Sequence, residues 1–291
     1  MTRLPRLARC VLLCTLLGSI TLCDANAHVA TPIEMAAPDL LAAAYDAQVD
    51  RRLHLPDSEA QYYGRLVEQA LVLANIALIR PQFIVAIDRS PNVQAALLFW
   101  MPISGESGPR LIGASPVSTG RPGQFDHFET PLGVFAHTYA NPDFRAKGTR
   151  NALGIRGYGL RGMRVFDLGW QHAERGWGKG GVSEMRLQMH ATDPGLEQWL
   201  GSVRSKGCIR IPATLNRLLD HYAVLDSDYE YALAMGARLW VLPPDQQASA
   251  GSGQFIVVLD SGRTERPAWS PAPTGKPAPA SPRITTRIGN D

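Results

Sequence analysis

Apolar residues change their spacing near residue 82, and that change divides the chain. Before it, Leu66, Ala70, Leu73 and Ala77 recur at helical intervals. With Asp57 or Ser58 able to cap its start, this stripe predicts a helix running to about Ile79, ended by Pro81. Residues 28–57 are alanine-rich and give no clear assignment. From Gln82 onward the runs are short and rich in strand formers. "FIVAID" and "VQAALLFW", separated by "RSPN", predict a β-hairpin. Further strands are expected over 110–118, 131–138, 163–168 and 184–190, with "ARLWVLP" and "GQFIVVLD" as closing strands. Leu215, Leu218, Leu219 and Tyr222 mark one apolar face, which predicts a helix over 212–223 with Pro212 at its start. The expected fold is mainly β, a sandwich or barrel with a few packed helices and an N-terminal helical segment. The long glycine-rich loops 119–131 and 139–162 are where a β scaffold tends to carry a site.

The two ends read differently from the middle. Arg3, Arg6 and Arg9 precede a short apolar run, and "ANA" offers small residues before His28. This predicts a cleaved secretory signal over 1–27, too short for a comfortable membrane span. From about residue 263 the composition turns to Pro, Ala, Ser and Thr, which predicts a disordered tail to 291. The expected organisation is therefore a signal over 1–27, a partly helical segment over 28–81, a main domain over 82–262 and a tail over 263–291.

Removing the signal alters charge and cysteine content. Of 29 Lys+Arg and 26 Asp+Glu, the first 27 residues hold Arg3, Arg6, Arg9 and Asp24, so the net charge falls from +3 to +1. A near-neutral chain offers no electrostatic case for nucleic acid. Cys10, Cys14 and Cys23 leave with the signal, so Cys208 is the one cysteine of the mature chain. It is either an inert apolar residue or a nucleophile, and cysteine count alone does not choose. His190 ends a strand-like run 17 residues before it. An imidazole in contact with the thiol can take its proton, and Lys206 and Arg210 would lower the thiol pKa further. No cofactor is expected. His127, His137 and His172 lack metal-like spacing with carboxylates, and no H-E-x-x-H occurs, so no metal is expected either. "GYGLRG" and "GWGKGG" lack the ending of a phosphate loop and read as flexible loops, and Trp170 and Trp177 near them read as packing residues or glycan contacts.

"SKGCIRIP" after His190, together with "PVSTGRPG" (116–123) and "TPLGVF" (130–135) upstream, resembles the L,D-transpeptidase catalytic domain (YkuD-type). The resemblance covers about residues 82–245. It implies an L,D-transpeptidase-like β-sandwich or barrel in the periplasm or cell envelope of a bacterium, with peptidoglycan stem peptides as partners. It also implies Cys208 as nucleophile and His190 as general acid/base. Acyl transfer from a tetrapeptide stem would pass through a thioester to an amine. On this reading the N–H groups of Gly207 and Cys208 form the oxyanion hole. Ser205 orients His190 or the loop, or is simply a turn hydroxyl. Arg210 holds a substrate carboxylate or is salt-bridged within the loop. One departure stands out: Lys206 occupies the place of the family's usual histidine, where it can donate hydrogen bonds and bring positive charge to a thiolate but cannot accept. Rival readings are an L,D-carboxypeptidase or protein–peptidoglycan linkage hydrolase on the same scaffold, or an inactive peptidoglycan-binding envelope protein.

Overall fold

The computed structural model describes residues 32–103 and 108–272. The expected signal over 1–27 and the tail beyond Ala272 lie outside the described residues. Helix α1 (Pro32–Gln48) takes up most of the alanine-rich stretch that the pattern left unassigned, and α2 (Asp57–Leu73) follows. The described residues then form nine strands: β1 (Gln82–Asp88), β2 (Ala95–Met101), β3 (Arg110–Pro116), β4 (Gly133–Ala136), β5 (Phe144–Arg145), β6 (Arg164–Glu174), β7 (Val182–Ala191), β8 (Ile209–Ile211) and β9 (Phe255–Leu259). Helices α3 (Ala213–His221) and α4 (Ser227–Ala234) lie between β8 and β9. One sheet runs β3-β2-β1-β9-β4 and the other β5-β6-β7-β8, so the fold is mainly β with a few packed helices.

The uninterrupted apolar run of β1 follows from burial on both faces. Phe83, Val85 and Ile87 enter a core shared with Phe166, Leu168, Leu187, Met189, Ile209 and Ile211 of the second sheet. Ile84 and Ala86 face the other way, into a cluster with Tyr63, Val67 and Leu71 of α2. The first sheet therefore lies between the second sheet and α2.

Helix α2 differs from its expectation in length and face. It stops at Leu73, and Asn75 adopts φ 55°. The Asn75 and Ile76 N–H groups donate back to the carbonyls of Val72 and Leu71 in a Schellman closure. The buried stripe is Tyr63, Gly64, Val67 and Leu71, whereas Leu73 is 85% exposed. The larger, ring-bearing stripe wins the sheet because it buries more apolar area. Residues 237–243 are not a strand either. The Val241 carbonyl accepts from Arg145 instead of a ladder partner, and Trp240 stays exposed. The ordered body also reaches beyond 262. Trp269 packs edge-on against Tyr63 at 5.7 Å, and Ser270 Oγ lies 2.9 Å from the carbonyls of Asn92 and Val93. One tryptophan in the proline-rich stretch has enough apolar area to dock it.

A buried ionic network ties the second sheet to the helices. Arg164 is wholly buried and bonds Asp143 at 2.6 Å, Asp226 at 2.7 Å and Asp220 at 3.3 Å. His137 Nε2 lies 2.9 Å from Asp143, its Nδ1 2.9 Å from the Leu225 carbonyl, and its ring stacks on Tyr229. Burial opposes charge on His137, but the adjacent Asp143 carboxylate outweighs it and raises the imidazole above its ordinary 6.5. Burial likewise opposes charge on Asp143, yet His137 and Arg164 hold it below the usual carboxylate range. A raised histidine stabilises the fold at low pH and loses that contribution as pH climbs through its folded pKa. Urea midpoints of the wild type are therefore expected to fall as pH rises above about 6.5, and His137→Gln to flatten that decline. Parallel pH profiles for the two proteins would contradict a charged His137.

Candidate active site

Strand β8 is three residues long and pairs in parallel with β7, matching Met189 with Ile209, His190 with Arg210 and Ala191 with Ile211. Side chains alternate between faces along a strand. Met189, Ile209 and Ile211 fill the core, so His190 and Arg210 share the opposite face. Cys208 stands just before β8 and is partly exposed.

On the other side, β8 and its approach are strapped by residues 118–121. Ser118 and Arg210 exchange backbone bonds of 3.0 and 2.9 Å; the Thr119 carbonyl takes the Ser205 N–H, and the Ser205 carbonyl takes the Arg121 N–H. Gln94 secures the strap from behind, its Oε1 accepting the Thr119 N–H at 2.8 Å. Thr130 joins the pieces. Its buried hydroxyl accepts from the Gly120 N–H at 2.8 Å and donates to the Gly207 carbonyl at 2.7 Å. Glycine is required at both positions. A Cβ on Gly120 would fall 2.0 Å from the Phe128 carbonyl oxygen. Gly207 sits at φ 130°, where a Cβ would meet Met185 at 2.8 Å. "STG", "TP" and "SKGC", scattered in sequence, are thus one hydrogen-bonded unit.

His190 is 4% exposed, and its Nδ1 donates to the Ala191 carbonyl at 2.9 Å. That bond sets the tautomer and leaves Nε2 as a lone-pair acceptor, with no hydrogen bond among the described residues. Burial, then the Arg210 charge, push the imidazole down to about 4, so it is neutral at ordinary pH. Tyr158 stands edge-on to the ring at 4.8 Å, its hydroxyl 3.1 Å from Gln188 Oε1. The Cys208 thiol is pushed up by burial, which outweighs the opposing Gln188 N–H and Arg210. At neutral pH the two groups rest as thiol and free imidazole.

Several expected roles are corrected. No hydrogen bond joins His190 to Cys208; the thiol lies 3.8 Å from the Arg186 carbonyl instead. The weak thiol donor takes the nearest carbonyl, and catalytic contacts are often loose in ligand-free sites. Lys206 does not place its charge at the sulfur. Its ammonium points outward, 64% exposed, and pairs with Asp126 at 2.7 Å. The net shift of the thiol is accordingly upward, opposite to the expectation from Lys206 and Arg210. The Gly207 N–H donates to Ser205 Oγ at 3.0 Å and is not free for an oxyanion. Ser205, which also donates to the Cys208 carbonyl, braces the loop and not His190. The Arg210 guanidinium makes no ion pair among the described residues, so it is not salt-bridged within the loop.

Thr130 and Tyr158 carried no assigned role in the sequence. Thr130 lay inside the quoted "TPLGVF" segment, and Tyr158 lay in the 139–162 loop, expected as a place for a site but with no residue of it singled out. Asp167 was also missed. It accepts from Arg186 and Gln188 beside the thiol and holds the β7 side chains in place.

Comparison with family models finds no match for this chain, and comparison with curated proteins finds none. Among solved structures it is similar to an L,D-transpeptidase from Mycobacterium smegmatis, at 15% identity and a TM-score of 0.27, over 62% of this chain and 59% of that one. So distant a likeness carries no functional argument. Among the described residues no helix is long and apolar enough to cross a membrane.

Two substitutions test the architecture. Thr130→Val orphans the buried Gly120 N–H and Gly207 carbonyl and should cost about 2 kcal/mol or more in urea denaturation, with Thr130→Ser near wild type. Lys206→Ala breaks only an exposed pair and should change stability by less than about 1 kcal/mol. It should also leave the Cys208 thiol titration, followed by absorbance of the thiolate, unmoved; a shift would place the ammonium near the sulfur.

Proposed function

We propose that the chain is a cysteine acyltransferase of the L,D-transpeptidase type acting on peptidoglycan stem peptides in the bacterial envelope. One observation carries this reading. The three segments of the motif converge on the loop that holds Cys208, beside a neutral histidine whose Nε2 is a bare acceptor.

In the proposed reaction a donor carbonyl approaches Cys208. His190 Nε2 takes the Sγ proton as sulfur bonds to that carbonyl carbon. The Cys208 N–H, rather than the engaged Gly207 N–H, stabilises the developing oxyanion. The C–N bond to the terminal amino acid breaks, and the proton passes from His190 to the departing amine. An acceptor amine then attacks the thioester, gives up its proton through His190, and releases the thiol with a new amide formed. Water in place of the amine would give a carboxypeptidase. A half-buried protonated thiol and a neutral imidazole suit this concerted transfer, since neither must be stored as an ion. Arg210 supplies positive charge toward the donor's carboxylate.

The test is labelling followed by product analysis. Intact-mass spectra should show a carbapenem adduct on the wild type and none on Cys208→Ala, and His190→Gln should slow acylation by roughly 10²- to 10⁴-fold. Purified tetrapeptide muropeptides should yield dimers for a transpeptidase and tripeptides for a trimming hydrolase. Absence of any adduct on folded wild type would favour a binding protein and defeat the proposal.

A further inference from the structure

The apolar run 237–243, which forms no strand, contributes Trp240 to a cavity of about 400 Å³ built mainly from residues 144–159. Arg145 places that ring. Its Nε donates to the Val241 carbonyl at 2.7 Å, while its Nη2 bonds Asp220 at 3.0 Å. Trp240 is left 75% exposed beside a cavity of the size that takes a small molecule. In this position it buries little apolar area, so packing does not account for it. Phe144 and Tyr158 supply two more rings to the lining, set edge-to-face at 5.4 Å. The wall is firm. Gly148 and Gly159 sit at φ 70° and 78°, where a Cβ would meet Arg161 at 2.7 Å and Ala191 at 2.8 Å. The charge is one-sided: Arg145, Lys147 and Arg156 line the cavity, and no carboxylate among the described residues does. Arg145 is paired with Asp220, and Arg156 lies 3.6 Å from Asp193, whose Oδ2 also takes the Arg156 N–H at 2.9 Å. Lys147 has no ion-pair partner among the described residues. The cavity thus offers one uncompensated positive charge beside three aromatic rings.

We propose that this cavity binds an aromatic carboxylate, with the ligand's ring among Trp240, Tyr158 and Phe144 and its carboxylate at Lys147. Aromatic rings attract one another in offset or edge-on pairs beyond the area they bury, so three rings set around one space suit a flat ligand. A single ammonium without a counter-charge suits a single negative charge. The occupant would press on Tyr158, whose ring stands edge-on to His190 at 4.8 Å and whose hydroxyl lies 3.1 Å from Gln188 Oε1. A bound ligand thereby reaches the imidazole without touching Cys208. What that contact does to catalysis rests on the acyl-transfer reading of Cys208; the binding site itself does not.

The experiment titrates phenylacetate into the full chain and follows the Trp240 indole N–H and the His190 ring protons by NMR. Phenylacetate should bind saturably, with a roughly millimolar Kd, and shift both signals. Phenylacetamide, its neutral isostere, should bind about three- to fivefold more weakly, a modest factor because Lys147 is exposed. Acetate, which lacks the ring, should give no saturable shift of the indole. Trp240→Ala, followed at His190, should weaken phenylacetate by about tenfold. Lys147→Gln should erase the difference between acid and amide. Both side chains are exposed, so both variants should keep the wild-type urea midpoint. Equal affinity for acid and amide in the wild type overturns the proposal, as does an unchanged phenylacetate affinity in Trp240→Ala. Absence of saturation below about 20 mM overturns it too. An indole shift with none at His190 overturns the contact through Tyr158. Cys208 takes no part in the titration, so a failure of the acyl-transfer reading leaves each of these outcomes distinct.

Discussion

The buried guanidinium of Arg164 is the constraint from which the second sheet takes its shape. It bonds Asp143 before β5, Asp226 after α3 and Asp220 within α3, and Asp143 in turn holds His137 and the Asp167 N–H. These groups come from six residues, and Arg164 removed would leave the buried carboxylates of Asp143 and Asp226 without their guanidinium. Breaking such a network costs about 3–5 kcal/mol, although an apolar replacement of the whole could be as stable. Its effect is therefore as much on arrangement as on stability. By anchoring Asp143 and Arg145 it fixes where the 144–159 stretch leaves the sheet, and that stretch brings Tyr158 onto His190.

The site depends on a second device of a different kind. Strand β8 is too short to hold a nucleophile by its own ladder. It is clamped between β7 and the 118–121 strap, with the Thr130 hydroxyl bridging strap and loop. Neutral hydrogen bonds suit this task because they are directional and leave the local field to Arg210 and its neighbours. The result is a loop whose carbonyls and N–H groups are mostly committed, with the thiol left at the edge. The Lys206 departure is then less consequential than the sequence suggested, because position 206 points toward Asp126 and solvent.

Much of the fold was legible because burial leaves a pattern. The hairpin of β1 and β2, the positions of β3, β6, β7 and β9, and helix α3 all follow from apolar runs that the core demands. The limits of those elements were less legible. The end of α2 turned on a left-handed Asn75 and on which of two apolar stripes carried more buried area. The 237–243 run is as apolar as a strand, yet its Val241 carbonyl is taken by the Arg145 side chain of β5 and not by a ladder partner. The docking of residues 264–272 turned on one tryptophan against Tyr63.

The sequence by itself determined which residues stand as candidates for chemistry: a cysteine that stands alone after the first 27 residues, a histidine before it, and a glycine beside it. Local composition and spacing carry that much, because they report residue type and backbone freedom. Tertiary structure alone decided what those residues do to one another. It assigned Gly207's N–H to Ser205, turned Lys206 outward, and made Thr130 the bridge between distant segments. It also set the protonation of His190 and Cys208, since burial and the placement of Arg210 exist only once β7, β8 and the strap are assembled. Hydrogen-bond partners and desolvation are properties of neighbours in space, and neighbours in space are what a linear pattern of apolar and polar residues leaves unspecified.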